Sequence, residues 1–121
     1  MSVSYVEPPQ ADERTKGFYN AAEERFEMLL NIFKVFGHAP ELGEAFTQSV
    51  MAMLKDGELD WLTKELIILK ATHRNACQYC VVQHETLSKR LGISEEKIAD
   101  IGGDRYKDSP HFTDAEKTLM D

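Results

Sequence analysis

The chain reads Trp61-Leu62-Thr63-Lys64-Glu65-Leu66-Ile67-Ile68-Leu69 through its middle. The run from Leu66 to Leu69 is apolar on every side of a helix, and a helix of that kind is usually buried. Asp60 is a suitable N-cap, because its carboxylate can accept a backbone N–H of the first turn. The segment shows neither the alternation nor the hairpin turn of a strand. We therefore predict a buried helix from Trp61 to about His73, with Glu65 inside it.

Apolar residues at helical spacing continue on both sides of this segment, so an all-α fold of about six helices is expected. Upstream, Met1 to Gln10 contains Pro8-Pro9 and is expected to form an extended arm. Gly37 ends the helical region that follows the arm, and Pro40 suits the first turn of a helix that should reach Lys55. The apolar stripe before Gly37 consists of Phe18, Ala22, Phe26, Leu29 and Phe33.

Three further helices downstream follow from their capping signals. Asn75-x-x-Gln78 and Thr113-x-x-Glu116 resemble capping boxes, Ser94 is an N-cap residue, and Gly92 is expected as a C-cap. The last helix should be short or truncated, because the sequence stops about two turns after its start. These helices are expected from Ala76 to Leu91, from Ser94 to Ile101 and from Thr113 to Asp121. Residues 11–121 thus form one expected all-α domain, without repeats.

The composition limits the classes of function. The chain has 121 residues, is 42% hydrophobic and carries a net charge of −7, so it fits one small domain whose apolar faces would gain from burial in an oligomer. The acidic balance argues against nucleic acid, which needs a basic patch, and against anionic membrane surfaces. No apolar run approaches the roughly 20 residues that span a bilayer. Met1 to Gln10 lacks the basic and apolar regions of a signal peptide, so a cytoplasmic location is expected.

The residue types that can carry chemistry are concentrated in Cys77-Gln78-Tyr79-Cys80-Val81-Val82-Gln83-His84, which contains both cysteines of the chain. Residues three or four apart share a helix face, so Cys77, Cys80 and His84 can meet. The N–H groups of a first helical turn favour a thiolate at Cys77, and the imidazole of His84 can take a proton from Cys80. Glu65 could orient that imidazole as a third group, if the chain turns sharply between the two helices. In a cytosolic chain such a pair is more often catalytic or metal-binding than a structural staple.

This set of residues resembles a known family. Glu65 followed by Cys77-x-x-Cys80-x-x-x-His84 is similar to the signature of the alkylhydroperoxidase D branch of the carboxymuconolactone decarboxylase family. The resemblance covers about Ile32 to Ile101, and it is also carried by Val35-Phe36-Gly37-His38-Ala39-Pro40-Glu41-Leu42, Lys64-Glu65-Leu66 and Leu91-Gly92-Ile93-Ser94-Glu95-Glu96-Lys97-Ile98. It implies a compact all-α, alkylhydroperoxidase D-like fold that assembles into trimers or hexamers.

The resemblance also implies an activity, that of a thiol-dependent peroxidase or disulfide reductase. Cys77 and Cys80 would alternate between dithiol and disulfide without a cofactor or metal, while Glu65 and His84 relay the proton that activates Cys80. The electrons would come from a thiol, a lipoylated partner or a thioredoxin-like donor. Tyr79 stands where some members carry a second histidine. Because a phenol is a poor base at neutral pH, Tyr79 is expected either to donate a hydrogen bond to the peroxide or only to pack.

Three alternatives stay open. Zinc could be bound by the cysteines and His84 with Glu65 or His73 as a fourth ligand, although structural zinc sites usually gather their ligands from two separate knuckles. A non-catalytic interaction protein could use the same fold. A decarboxylase activity is the third alternative, and the cysteine pair disfavours it because the true lactone decarboxylases of the family lack that pair. The remaining histidines are expected to be structural or exposed, namely His38, His73 and His111.

Overall fold

The regular secondary structure of the described residues is helical. A computed structural model describes residues 2–121, and in that range seven α-helices and two 3-10 turns are present, without any strand. The all-α prediction is confirmed, with seven helices instead of about six. The chain divides into two compact units, Met1–Lys55 and Asp56–Asp121; one domain over residues 11–121 stays a prediction. The helices are α1 (Glu13–Phe26), α2 (Asn31–Phe36), α3 (Pro40–Met53), α4 (Trp61–Arg74), α5 (Gln78–Arg90), α6 (Glu95–Gly102) and α7 (Asp114–Met120).

The first unit packs α1 against α2 and α3 around aromatic rings. Asp12 caps α1 by accepting the backbone N–H of Thr15 over 2.7 Å, and Pro40 opens α3 as the sequence predicts. Gly43 lets α3 approach α1 closely, because a Cβ there would lie 2.5 Å from the ring of Phe18. The buried apolar residues of this unit are Ala11, Phe18, Tyr19, Ala22, Phe26, Phe33 and Leu54.

The apolar stripe from Phe18 to Phe33 does not lie on one helical region, contrary to the sequence-based expectation. Glu27 adopts a left-handed backbone conformation, with φ of 59°, and ends α1. The chain then restarts as α2 at Asn31. The reversal brings the rings of Phe26 and Phe33 to a centroid distance of 5.8 Å, whereas seven residues along a straight helix would separate them by about 10 Å. Ring packing therefore explains the break that helical spacing alone did not reveal.

The expected N-terminal arm is attached to the first unit. The N–H of Val6 bonds to the carbonyl of Lys34 over 3.1 Å, and the hydroxyl of Tyr19 donates to the carbonyl of Val6 over 2.7 Å. The arm is extended only as far as Glu7, because Pro8–Gln10 forms a 3-10 turn. Met1 lies outside the described residues.

The second unit is centred on α4, which packs against α5, α6 and α7. Asp60 caps α4 by accepting the N–H of Thr63 over 2.8 Å, so the predicted start of this helix is confirmed. Ser94 caps α6, and the capping box of Thr113 and Glu116 is present on α7. The buried apolar residues of this unit are Leu66, Leu69, Ile93, Ile98, Ile101, Tyr106, Phe112 and Met120.

The apolar run of α4 is buried on one side only, which corrects the expectation of a helix buried all round. Leu66 and Leu69 are 1% and 0% exposed, while Ile67 and Ile68 are half-buried within the single chain. The reason is geometric, because α5, α6 and α7 cover only the part of the helix surface to which Leu66 and Leu69 belong. No helix in the described range is both long and apolar enough to cross a bilayer.

Candidate redox site

A tight turn connects α4 to α5, the two helices that carry the site residues. Asn75 has helical backbone angles and ends α4, with its N–H bonded to the carbonyl of Ala71 over 2.9 Å. Ala76 is left-handed, with φ of 52°, and Cys77 is the N-cap of α5. The predicted capping box at Asn75 is therefore wrong, and α5 begins at Gln78. An N-cap needs an extended backbone, which Cys77 has and Asn75 lacks.

The two cysteines are joined at the start of α5. Cys77 and Cys80 form a disulfide, with their Cα atoms 5.3 Å apart. The backbone N–H of Cys80 donates to Sγ of Cys77 over 3.4 Å, so this sulfur lies at the positive end of the helix dipole. The sequence analysis predicted Cys77 in the first turn of the helix, but it lies just outside, as the N-cap. The two sulfurs nevertheless meet, as their spacing indicates.

A buried carboxylate meets the histidine of the same segment. Glu65 on α4 is fully buried, and its Oε1 accepts a hydrogen bond from Nδ1 of His84 on α5. The side chain of His84 is 29% exposed, so the pair connects a dry carboxylate to an imidazole that solvent can reach. Oε2 of Glu65 is buried without a hydrogen-bond partner. Because a buried charge without full pairing is costly, this position of Glu65 is expected to cost stability.

Four of the five predicted site residues thus form two contacts on neighbouring elements. Cys77 is bonded to Cys80, and Glu65 to His84, which follows Cys80 by one helical turn of α5. The fifth residue, Tyr79, has 42% of its surface exposed on the first turn of α5. Its part in the chemistry stays a prediction, as do the roles of the other four.

The other histidines divide into two kinds. His38 binds the N-terminal arm through Nε2, which lies 2.8 Å from the carbonyl oxygen of Ser4, and His111 is exposed. His73 is different, because its ring is partly buried and its Nε2 lies 3.5 Å from a carboxylate oxygen of Glu85. Sequence reasoning missed this second contact between α4 and α5, since His73 and Glu85 are twelve positions apart and no periodic signal links them.

The zinc alternative gains no support from the side-chain arrangement. Across residues 2–121, no three His, Cys, Asp or Glu side chains are grouped so that they could hold a metal ion. In the disulfide, moreover, neither sulfur is the thiolate that binds metals.

The fold and the site define an all-α protein with a disulfide and an acid–imidazole pair on adjoining helices. A model described as "Carboxymuconolactone decarboxylase family" matches residues 40–117, which include the whole site. The chain belongs to this family, which includes both alkylhydroperoxidase D-like peroxidases and decarboxylases. No curated protein and no solved structure gives a significant match to the chain.

Proposed function

We propose that the protein is a thiol-dependent peroxidase that reduces alkyl hydroperoxides through Cys77 and Cys80. One observation carries the proposal: the disulfide lies on the helix whose His84 is bound by the buried Glu65. A structural staple between residues three apart closes a very short loop and stabilises little. A disulfide of this kind beside a proton-holding pair is better explained by redox chemistry.

The cycle balances with two electrons. A thiolate at Cys80 attacks the terminal peroxide oxygen, which forms a sulfenic acid and, after protonation of the leaving alkoxide, an alcohol. The thiol of Cys77 then attacks the sulfenic sulfur, so that water leaves and the disulfide forms. A donor with two thiols reduces the disulfide and is itself oxidised to a disulfide.

The Glu65–His84 pair would manage the protons of this cycle. His84 lies four residues after Cys80 on α5, so its imidazole can face that sulfur and accept the thiol proton. Glu65 holds the imidazole through Nδ1, which leaves Nε2 for the reacting groups. Tyr79, exposed beside the cysteines, would donate a hydrogen bond to the bound peroxide.

The partners belong to the same proposal. The electron donor would be a small dithiol, a lipoylated partner or a thioredoxin-like protein in the cytoplasm, where thiols are kept reduced. The protein would assemble into a trimer or hexamer, which would cover apolar surface that the single chain leaves open on Ile67, Ile68 and Leu42. Sedimentation as a 13.8 kDa monomer at micromolar concentration would exclude this assembly.

Peroxide consumption by the purified chain tests the proposal. Cumene hydroperoxide is offered with dithiothreitol, dihydrolipoamide or a reduced thioredoxin, and loss of peroxide is followed over time. The matched control replaces both Cys77 and Cys80 by serine. Equal consumption by this control would contradict the proposal. Release of carbon dioxide from a carboxylated lactone by both proteins would instead favour the decarboxylase activity, which needs no cysteine pair.

A further inference from the structure

A second acid–imidazole contact joins α4 to α5, with the two residue types exchanged. In the first pair α4 supplies the acid, Glu65, and α5 supplies His84. In the second pair α4 supplies the imidazole of His73 and α5 supplies Glu85, with Nε2 and Oε1 separated by 3.5 Å. Glu85 directly follows His84, so whatever fixes Glu85 also fixes the helical turn that presents His84.

The end of α6 limits the space around the ring of His73. A Cβ on Gly102, at the end of α6, would lie 3.0 Å from Cε1 and 3.2 Å from Nε2 of His73. Nε2 is buried and has no hydrogen-bond partner. A buried polar nitrogen left unpaired costs free energy, and the carboxylate at 3.5 Å is the group towards which a proton on this nitrogen would be drawn.

The charged groups around His73 leave Glu85 as its acidic partner. On α6, Gly102 lies beside the ring and carries no charge, and the carboxylate of Asp100 is bound by Arg105. After Gly102, the carboxylate of Asp104 is bound by Lys70, which lies one turn before His73 on α4. Asp104 also interacts electrostatically with Arg74. On α7, which also packs on α4, the carboxylate of Glu116 is bound by Lys97. These acids are paired with other cations, and the carboxylate in contact with His73 is that of Glu85.

We propose that His73 and Glu85 form a proton-dependent clasp between α4 and α5 that positions His84 against Glu65. In the structure this contact is a long one without a hydrogen bond. When His73 is protonated, Nε2 becomes a charged donor and the contact becomes an ion pair. His73 and Glu85 are positioning residues, and their effect on turnover rests on the peroxidase function proposed above.

The clasp predicts an interaction that depends on pH. Unfolding by urea is measured for the full chain and for His73→Gln, Glu85→Gln and the double variant, at about pH 5.5 and about pH 8.5, on either side of the ordinary histidine range. The double-mutant cycle should show coupling of about twofold to fivefold in the unfolding equilibrium constant at the lower pH, as for partly exposed ion pairs. It should show none at the higher pH. Equal coupling at both values, or no coupling at either, would overturn the clasp.

Two variants separate the clasp from general damage to the fold. Gly102→Ala would bring a Cβ to 3.0 Å from Cε1 of His73, which is closer than an ordinary contact. The ring should therefore shift slightly, and the coupling at the lower pH should fall. Gly17→Ala, on α1, places its Cβ in open space and should leave the coupling unchanged. A reduced coupling in Gly17→Ala, or full coupling in Gly102→Ala, would contradict this assignment.

The positioning role is tested on the reduced protein without peroxide. The rate of Cys80 alkylation by iodoacetamide in Cys77→Ser is followed against pH, with and without His73→Gln. His73→Gln should lower that rate several-fold at about pH 5.5 and leave it unchanged at about pH 8.5, whereas His38→Gln should change neither. An unchanged profile would overturn the positioning role. If the profile changes as expected but no peroxide is consumed by the full chain, the clasp stands and the proposed function fails.

Discussion

The two units of the chain bury different kinds of side chain. In residues 2–55 the largest buried side chains are aromatic, the buried polar ones are Thr15 and Thr47, and no charged side chain is buried. In residues 56–121 the core is mainly aliphatic, and it contains the carboxylate of Glu65 and the hydroxyl of Ser88, each with a buried oxygen that has no hydrogen-bond partner. Unpaired buried polar atoms are costly. Among the described residues, the second unit buries a charged side chain and the first does not, and that side chain, Glu65, belongs to the candidate site.

The largest difference between the units should appear when a cysteine is changed. Cys80→Ser should reduce peroxide-dependent turnover by about a thousandfold or more, because the attacking thiolate is lost. Thr47→Ser, in the core of the first unit, should leave turnover within about a factor of two, because it retains the hydroxyl that bonds to Gly43. Initial rates of peroxide loss measure both. Turnover that survives in Cys80→Ser and is lost in Cys77→Ser would show that the roles assigned to the two cysteines are reversed.

The second largest loss of activity is expected from substitutions in the acid–imidazole pair. Glu65→Gln and His84→Ala should each lower the rate of peroxide reduction by about two to four orders of magnitude, the usual range for general-base assistance. The double variant should lose little more than either single one, because residues that act as a unit are not additive. Single-turnover reduction of peroxide against pH gives these rates. If Glu65→Gln reacts like the unchanged protein at neutral pH, Glu65 is only structural.

The two cores should respond oppositely to substitution. Phe33→Ala, at a 1% exposed position, should lower the free energy of unfolding by about 3–5 kcal/mol because it leaves a cavity. Glu65→Leu combined with His84→Leu should leave that free energy unchanged or raise it by up to about 2 kcal/mol, since apolar residues replace both members of the pair. Urea unfolding followed by circular dichroism measures both values. A large loss of stability in this double variant would mean that the acid–imidazole pair supports the second core, and the contrast between the units would disappear.

The smallest expected effect is the loss of free energy of unfolding when one ion pair in each unit is removed. Burial raises the pKa of Glu116, but hydrogen bonds from Lys97 and from the backbone of Thr113 outweigh burial, so its net pKa is lowered. A lowered pKa stabilises the fold above the ordinary value of 4.5, and this stability is lost as the pH falls through the lowered value. Glu116→Gln should therefore cost about 1–2 kcal/mol at neutral pH and progressively less in acid.

The matched pair in the first unit is Lys34 with Glu7, whose side chain is 49% exposed. Glu7→Gln should cost less than about 1 kcal/mol at neutral pH, as exposed ion pairs usually do. The two substitutions are compared by urea unfolding at several pH values. Equal costs at neutral pH, or a cost of Glu116→Gln that does not change in acid, would mean that burial does not distinguish the two pairs.

Prediction from the sequence succeeded where a local signal was complete. The cap at Asp60, the capping box at Thr113 and the start of α3 at Pro40 each depend on a few adjacent residues, and the structure contains all three. It failed at Glu27 and at Asn75, where α1 and α4 end. Glutamate is not a usual residue for a left-handed position, and the pattern at Asn75 satisfied a capping rule that its helical backbone could not use.

The sequence by itself determined the all-α class, through helical periodicity along the chain, and the meeting of Cys77 with Cys80, through their separation of three residues. It also singled out Glu65 and His84, which the structure brings together. Only the tertiary structure decided that α4 is buried on one side, that Cys77 is an N-cap, and that His73 faces Glu85. Local periodicity records which residues share a face of one helix. How two helices cross depends on packing between residues far apart in sequence, for which a single chain carries no local signal.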